Sequence, residues 1–313
     1  MSGALQRYRG VALITALLIT ALAGSVAAGL SWDNSLDVRR TMVMLYRDQA
    51  IQVAVGSEGW VRGILRQDQI ETTTDHLGEV WATEIPALPI DAETVQGQIW
   101  GQIEDLQGRF NVNNLVDANG EVDQATLQQF ERLLSALGLE ARLAGLVADW
   151  VDADQIESIP YGAEDPLYSG MVPAYRTADR RIPNITELAA IDGMDRESYE
   201  ILLPHVTALP GRTELNVNTA SIPLLQSLGP NITLADAEAL AALREETGFT
   251  DFATVFDPIV DPDLRNWISE TTSYFQLKAV VQIDTVRINL TTVLHRDPTS
   301  PDVTPILRSL GTI

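Results

Sequence analysis

The sequence predicts an α+β fold: a long N-terminal helix on an antiparallel sheet, with a large all-helical domain inserted into that sheet. Three observations carry this. Residues 11–30 hold no charged side chain, and an apolar stripe at helical spacing continues from them to about Trp60. Segments near residues 77–107 and 273–295 alternate apolar and polar residues with the period of a strand. Between them, roughly 160 residues carry the helical period.

The uncharged run comes first. At about 1.5 Å rise per residue it would span roughly 30 Å, one hydrocarbon core. Arg7 and Arg9 precede it and Asp33 and Asp37 follow it. The positive-inside rule therefore puts residues 1–10 in the cytoplasm and the remainder outside it, on a single membrane pass. Small residues at Ser25-Val26-Ala27 and Val26-Ala27-Ala28 fit a cleavable secretory signal. The Arg9-Gly10 junction set directly against the apolar run is similar instead to a type IV prepilin leader, in which a peptidase cuts after the glycine, here between Gly10 and Val11, and the helix is retained. Leu36, Val43, Ala50, Ile51, Ala54 and Val55 extend the stripe, interrupted by Gly56 and Gly59. A signal peptide does not predict that continuation.

Val80, Ala82 and Ile85, then Val95, Ile99 and Ile103, mark the first strands. Residues 274–283 and 286–294 form a second pair, with Asp284-Thr285 as a tight turn. Helices are expected at 126–136, 140–151, 186–191, 196–203, 222–228 and 234–246, punctuated by Gly193, Pro204, Pro210-Gly211, Gly229-Pro230 and Gly248. Pro298, Pro301 and Pro305 predict an irregular tail.

The chain has 43 acidic and 21 basic residues, a net charge of −22, and Lys278 is its single lysine. Such a chain is repelled by phosphate backbones, so no nucleic-acid partner is expected. Without cysteine there are no disulfides, thiol nucleophiles or Cys-type zinc sites. His76, His205 and His295 lie far apart, a poor basis for histidine catalysis.

Half of the net charge lies in residues 111–205, with seventeen acids against six bases. Asp149, Asp152, Asp154, Glu157, Glu164 and Asp165 crowd a stretch with no Lys or Arg between Arg142 and Arg176. Such a loop repels itself unless it is solvated or neutralised by a cation. Oxygen ligands alone favour Ca²⁺ over softer metals. The spacing is not that of an EF-hand: counted from Asp152, position six is Glu157 and position twelve is Ala163. Both the solvated loop and the cation site remain open on spacing alone.

Asn111-Val112-Asn113-Asn114 recurs as Asn216-Val217-Asn218-Thr219, each copy before a helical segment. The second copy opens a unit resembling a helix-hairpin-helix or SAM-like module. Its hairpin, Gly229-Pro230-Asn231-Ile232-Thr233, sits among Asp236, Glu238, Glu245, Glu246 and Asp251. This charge favours packing over DNA binding.

Together these stretches resemble one family, general secretion pathway protein K, the large minor pseudopilin of type II secretion. The carriers are Gly10–Thr15, Asp105–Leu115, Asp149–Asp154 with Tyr161–Asp165, and Leu215–Ala220, in family order. Thr15, fifth after the glycine, stands where most pilin-like subunits have glutamate, and K-type subunits lack that glutamate. A subunit with no neighbour above it in the membrane needs no carboxylate to neutralise that neighbour's ammonium.

The resemblance implies a pilin-like fold: leader 1–10, transmembrane and spine helix 11–60, first part of the sheet 61–108, SAM-like helical domains at 109–208 and 209–271, second part of the sheet 272–296, and irregular tail 297–313. It implies a non-enzymatic subunit at the pseudopilus tip that initiates or caps assembly with I- and J-type minor pseudopilins and other pseudopilus subunits, after processing by the prepilin peptidase. It also implies calcium, with Asp152, Asp154, Glu164 and Asp165 as ligands by motif match. The alternatives are a membrane-anchored helix-hairpin-helix DNA-binding protein of an uptake system and a periplasmic hydrolase using the acid cluster.

Overall fold

The computed structural model describes residues 5–92, 95–244, 247–249 and 251–311. The first four residues of the expected leader, and Glu245 and Glu246 at the end of an expected helix, lie outside the described residues. In chain order the elements are helix α1 (Leu5–Glu71), strands β1 (Ile85–Ala92), β2 (Val95–Asp105) and β3 (Phe110–Asn111), helices α2 (Gln124–Ala136), α3 (Leu143–Val151), α4 (Asp165–Ser169) and α5 (Arg196–Leu202), strands β4 (Val206–Thr207) and β5 (Leu215–Asn216), helices α6 (Ile222–Ser227), α7 (Leu234–Leu243) and α8 (Phe252–Phe256), and strands β6 (Ile268–Ser269), β7 (Tyr274–Ile283), β8 (Val286–Arg296) and β9 (Val303–Leu310).

Helix α1 changes character along its length. Residues 11–45 are exposed on every side, and the helix is long and apolar enough to cross a membrane. Beyond them Ala50, Ala54, Val61 and Leu65 form a buried stripe, spaced four or seven residues apart as one helical face requires. The two alanines allow close approach to the sheet. Glu58 lies in the same stripe, where it accepts hydrogen bonds from Thr292 Oγ1 at 2.7 Å and from Arg308 Nε at 2.6 Å. The helix runs eleven residues past the expected end at Trp60. Gly56, Gly59 and Gly63 do not stop it: each faces open space, and a glycine costs only about 1 kcal/mol relative to alanine in a helix. Burial of the opposite face offsets that.

The five-stranded sheet has the order β1-β2-β7-β8-β9, antiparallel throughout. Strand β7 alternates half-buried and buried residues along its whole length. The Asp284-Thr285 turn joins it to β8 with Ile283 opposite Val286, and Asp284 takes the positive φ of 51° that such a turn needs. Two expectations fail. Val80–Ala82 is a 3₁₀ turn rather than strand, because it seats Trp81 against Phe275 under the sheet. The irregular tail expected at 297–313 is corrected over its described residues, 297–311: after a turn at Asp297–Asp302, β9 pairs with β8 at the sheet edge. Pro305 is tolerated there beside a register shift at Val293/Leu294. Side chains of α1 hold this segment, since Arg66 Nε donates to Pro301 O at 3.0 Å and Gln69 Nε2 to Asp297 O at 2.8 Å.

The insert between β2 and β7 has its own core, running without a break from Phe110 to Ile268 and separate from the core beneath the sheet. Beside its helices and loops the described part of the insert holds two parallel strand pairs, β3 with β4 and β5 with β6, so the all-helical expectation is corrected in that detail. Each pair starts at a copy of the Asn-Val-Asn motif and ties the start of a unit to its end. Asn111 Oδ1 accepts from Asn113 N at 3.2 Å and Leu209 N at 3.0 Å. Asn113 Oδ1 accepts from Ile182 N, and its Nδ2 donates to Ile182 O and Leu209 O, all at 2.9 Å. In the second copy, Asn216 Oδ1 accepts from Asn218 N at 3.0 Å and Asn218 Oδ1 from Phe249 N at 2.8 Å. An asparagine offers both donor and acceptor on one short side chain, which suits it to satisfy buried backbone on both sides. Asn113→Ala is expected to destabilise the chain by about 2–3 kcal/mol, because it strands buried backbone groups of Ile182 and Leu209. Urea unfolding would measure this.

Candidate cation site in the acidic loop

Helix α3 is almost wholly apolar and buried, and two carboxylates ride into the interior with it. Asp149 lies in its last turn and Asp152 is the residue that ends it. The i, i+3 spacing places both on one face. The chain then loops out and returns through Glu164, which precedes α4. Gly162 makes the return possible: a Cβ there would lie 2.1 Å from Asp149 Oδ2 and 2.2 Å from Ser158 N. Asp149, Asp152 and Glu164 are each at most 2% exposed, and one carboxylate oxygen from each lies within 4.8 Å of the others.

Hydrogen bonds satisfy little of this charge. Asp149 accepts from Ser158 N at 3.0 Å through Oδ2. Asp152 Oδ1 and both oxygens of Glu164 are buried without a partner. Burial, then the charges of Asp149 and Asp154, pushes Asp152 up to about 7. Burial, then Asp149 and Asp152, pushes Glu164 up to about 8. Burial also raises Asp149, against its bonds from Ser158. Buried carboxylates in this state take up protons or share a cation. Three convergent oxygen donors fit a hard cation such as Ca²⁺.

Of the residues expected as ligands, Asp152 and Glu164 meet in this trio. Asp154 and Asp165 stand outside it. Asp154 is exposed and accepts from Ile156 N at 2.7 Å. Asp165 accepts from Thr177 N and Oγ1, both at 3.1 Å, and lies 3.5 Å from Arg176 Nη1. The third member, Asp149, is absent from the motif-matched set. Its signal was present in the sequence as the i, i+3 carboxylate pair at the end of an apolar helix.

At the other end of the chain, Gly10 and Val11 lie within α1. Thr15 Oγ1 donates to Val11 O and Ala12 O at 3.0 Å, so the hydroxyl is satisfied within its own helix. The helix-hairpin glycine, Gly229, packs closely: a Cβ there would lie 2.3 Å from Ile259 O. It offers no open backbone cradle for a phosphate.

The family model described as type II secretion system, protein K, matches residues 108–211 and 215–257. The chain is 36% identical over 300 residues to the type II secretion system protein K of Pseudomonas aeruginosa, spanning 92% of this chain and 88% of that protein. It is 32% identical over 312 residues to the protein of the same name from Pectobacterium carotovorum, spanning 93% of each. Among solved structures, a chain of the GspK-GspI-GspJ complex from enterotoxigenic Escherichia coli superposes with a TM-score of 0.69, covering 88% of this chain and all of that one. At 22% identity that likeness speaks for the fold alone. The DNA-handling alternative finds no support in these likenesses. The chain belongs to the type II secretion system protein K family and is a minor pseudopilin of that system.

Proposed function

We propose that this minor pseudopilin sits at the pseudopilus tip, where it initiates or caps assembly with I- and J-type partners for export of folded proteins across the outer membrane. One observation carries the reading. Helix α1 is unbroken from Leu5 to Glu71, yet residues 11–45 bury nothing within the chain while the last third packs on the sheet. A helix built this way leaves its apolar half for lipid and for the helices of other subunits. Its structural neighbour comes from a complex with I- and J-type proteins, which supports the choice of partners. The role is one of assembly rather than catalysis.

In this reading residues 1–10 are a cytoplasmic leader, the helix spans the inner membrane, and the sheet and insert lie in the periplasm. Thr15, lacking the usual carboxylate, suits a subunit with no neighbour above it. The two Asn-closed units of the insert are SAM-like modules used for packing. Asp149, Asp152 and Glu164 hold calcium, which ties the end of α3 to the start of α4. Coexpression of the full chain with I- and J-type partners tests the proposal: a stable ternary complex is expected, and a chain that purifies alone under the same conditions counts against it. Replacing Gly10 is expected to abolish processing by the prepilin peptidase. N-terminal sequencing should find Val11 first in the wild type; a start near Gly29 would instead show a secretory signal.

A further inference from the structure

A second cluster of buried carboxylates lies outside the insert, where α1 ends. Asp68 is in the last turns of α1, and Asp75 and Glu79 are in the segment leading to β1. They are 9%, 2% and 8% exposed, and one oxygen from each lies within 4.8 Å of the others. One guanidinium faces them: Arg296, at the end of β8, reaches Asp68 Oδ2 at 2.9 Å and both oxygens of Asp75 at 2.5 Å. Three carboxylates against one guanidinium leave two negative charges in a desolvated place.

The excess concentrates on Glu79. Its Oε2 accepts from Trp81 Nε1 at 2.7 Å and from His76 N at 3.0 Å. Its Oε1 is buried and has no hydrogen-bond partner. The nearest basic side-chain atom, His76 Nε2, stands off at 3.9 Å. His76 Nδ1 accepts from Gly78 N at 3.1 Å, so a neutral His76 carries its proton on Nε2 and has no lone pair there to offer a metal. The available donors are therefore oxygens. Asp68 and Glu79 also line an open groove beside Trp60, Gly63 and Val80, which provides an entry path.

We propose that Asp68, Asp75 and Glu79 hold a hard divalent cation of the calcium type, a site separate from the acidic loop. The ion neutralises the charge that Arg296 leaves over. Its place in the fold gives it a structural role. Asp75 N donates to Glu270 O, Asp75 Oδ2 accepts from Thr272 N, and Asp75 O accepts from Asn216 Nδ2. An ion on Asp75 thus joins the end of the spine helix, the sheet and the root of the insert.

Terbium luminescence on the full chain in detergent, stripped of calcium, tests this. Tb³⁺ takes hard oxygen sites, and Trp81, in contact with Glu79, would sensitise its emission. Asp152→Asn with Glu164→Gln first removes the acidic-loop trio. That variant is expected to retain saturable, tryptophan-excited Tb³⁺ emission with a stoichiometry near one, displaced by Ca²⁺. Adding Glu79→Gln should weaken this binding at least tenfold, and so should adding Asp68→Asn instead, which covers the case in which the Glu79 variant fails to fold. Absence of saturable emission from the Asp152/Glu164 variant, or emission unchanged by both further substitutions, would overturn the proposal.

Discussion

Arg296→Met is expected to destabilise the chelated chain by about 3–5 kcal/mol, the cost of leaving buried charges without their partner. Arg296 is itself buried, donates to Asp68, Asp75 and Thr272 O, and stacks 4.8 Å above the Phe275 ring. Methionine would fill much of the volume but none of the charge. The loss should depend on pH. Burial, then the charges of Glu79 and Asp75, already holds Asp68 up at about 7 against the pull of Arg296. Burial likewise raises Asp75 despite the ion pair. Carboxylates raised in the folded chain contribute stability that is full below the unfolded pKa, near 4, and is lost as pH rises through the folded value. The variant should therefore fare worst at pH 8 and recover toward pH 5, below the raised value of Asp68. Arg296→Lys keeps the charge but not the fork that spans two carboxylates, so it should restore only part of the stability. Urea midpoints at the two pH values measure all three quantities. Equal losses at pH 5 and pH 8 would mean that Arg296 acts through packing alone.

The second large effect concerns the acidic loop. In chelator, the wild type should lose stability as pH rises from about 5 to about 8. The sign is the same as for Asp68, because Asp152 and Glu164 are raised to about 7 and about 8 in the folded chain. Calcium should reverse the trend. At one hundred times its dissociation constant it adds about 2.7 kcal/mol, which for a domain of this size is a rise in melting temperature on the order of 5–10 °C. The rise should be larger at pH 8 than at pH 5.5, since protons compete with the ion for the same oxygens. In a Glu79→Gln background, Asp152→Asn with Glu164→Gln should remove the remaining calcium response and raise the stability of the chelated protein at pH 8. A full calcium response in that variant would place the ion elsewhere.

Much of the architecture was legible from periodicity. The period of β7 and β8, their two-residue turn and the apolar helix all follow from local patterning, which a short window captures. Helix ends were less legible. Glycines at 56 and 59 signal a break locally, but the buried stripe on the opposite face outweighs them. Pro298, Pro301 and Pro305 signal an irregular tail, but an edge strand needs no donor on its open side, and α1 holds the segment from across the fold. The repeated Asn-Val-Asn motif was visible as an echo. That each copy closes its own unit was not, because the groups it satisfies lie about 30 to 100 residues away.

Local patterning sets the class of the chain: a membrane-length helix, a split sheet, a helical insert and an uncompensated run of acid. These depend on composition, spacing and family likeness. The tertiary structure decided which acids act together. Asp154 and Asp165 sit beside Asp152 and Glu164 in the chain but spend their oxygens on neighbouring donors, while Asp149 turns inward with α3. Asp68, Asp75 and Glu79 carry no motif, and the guanidinium that faces them, Arg296, lies more than two hundred residues away. The electrostatic balance of a buried carboxylate depends on distance in space and exclusion of water, and only the folded chain supplies either.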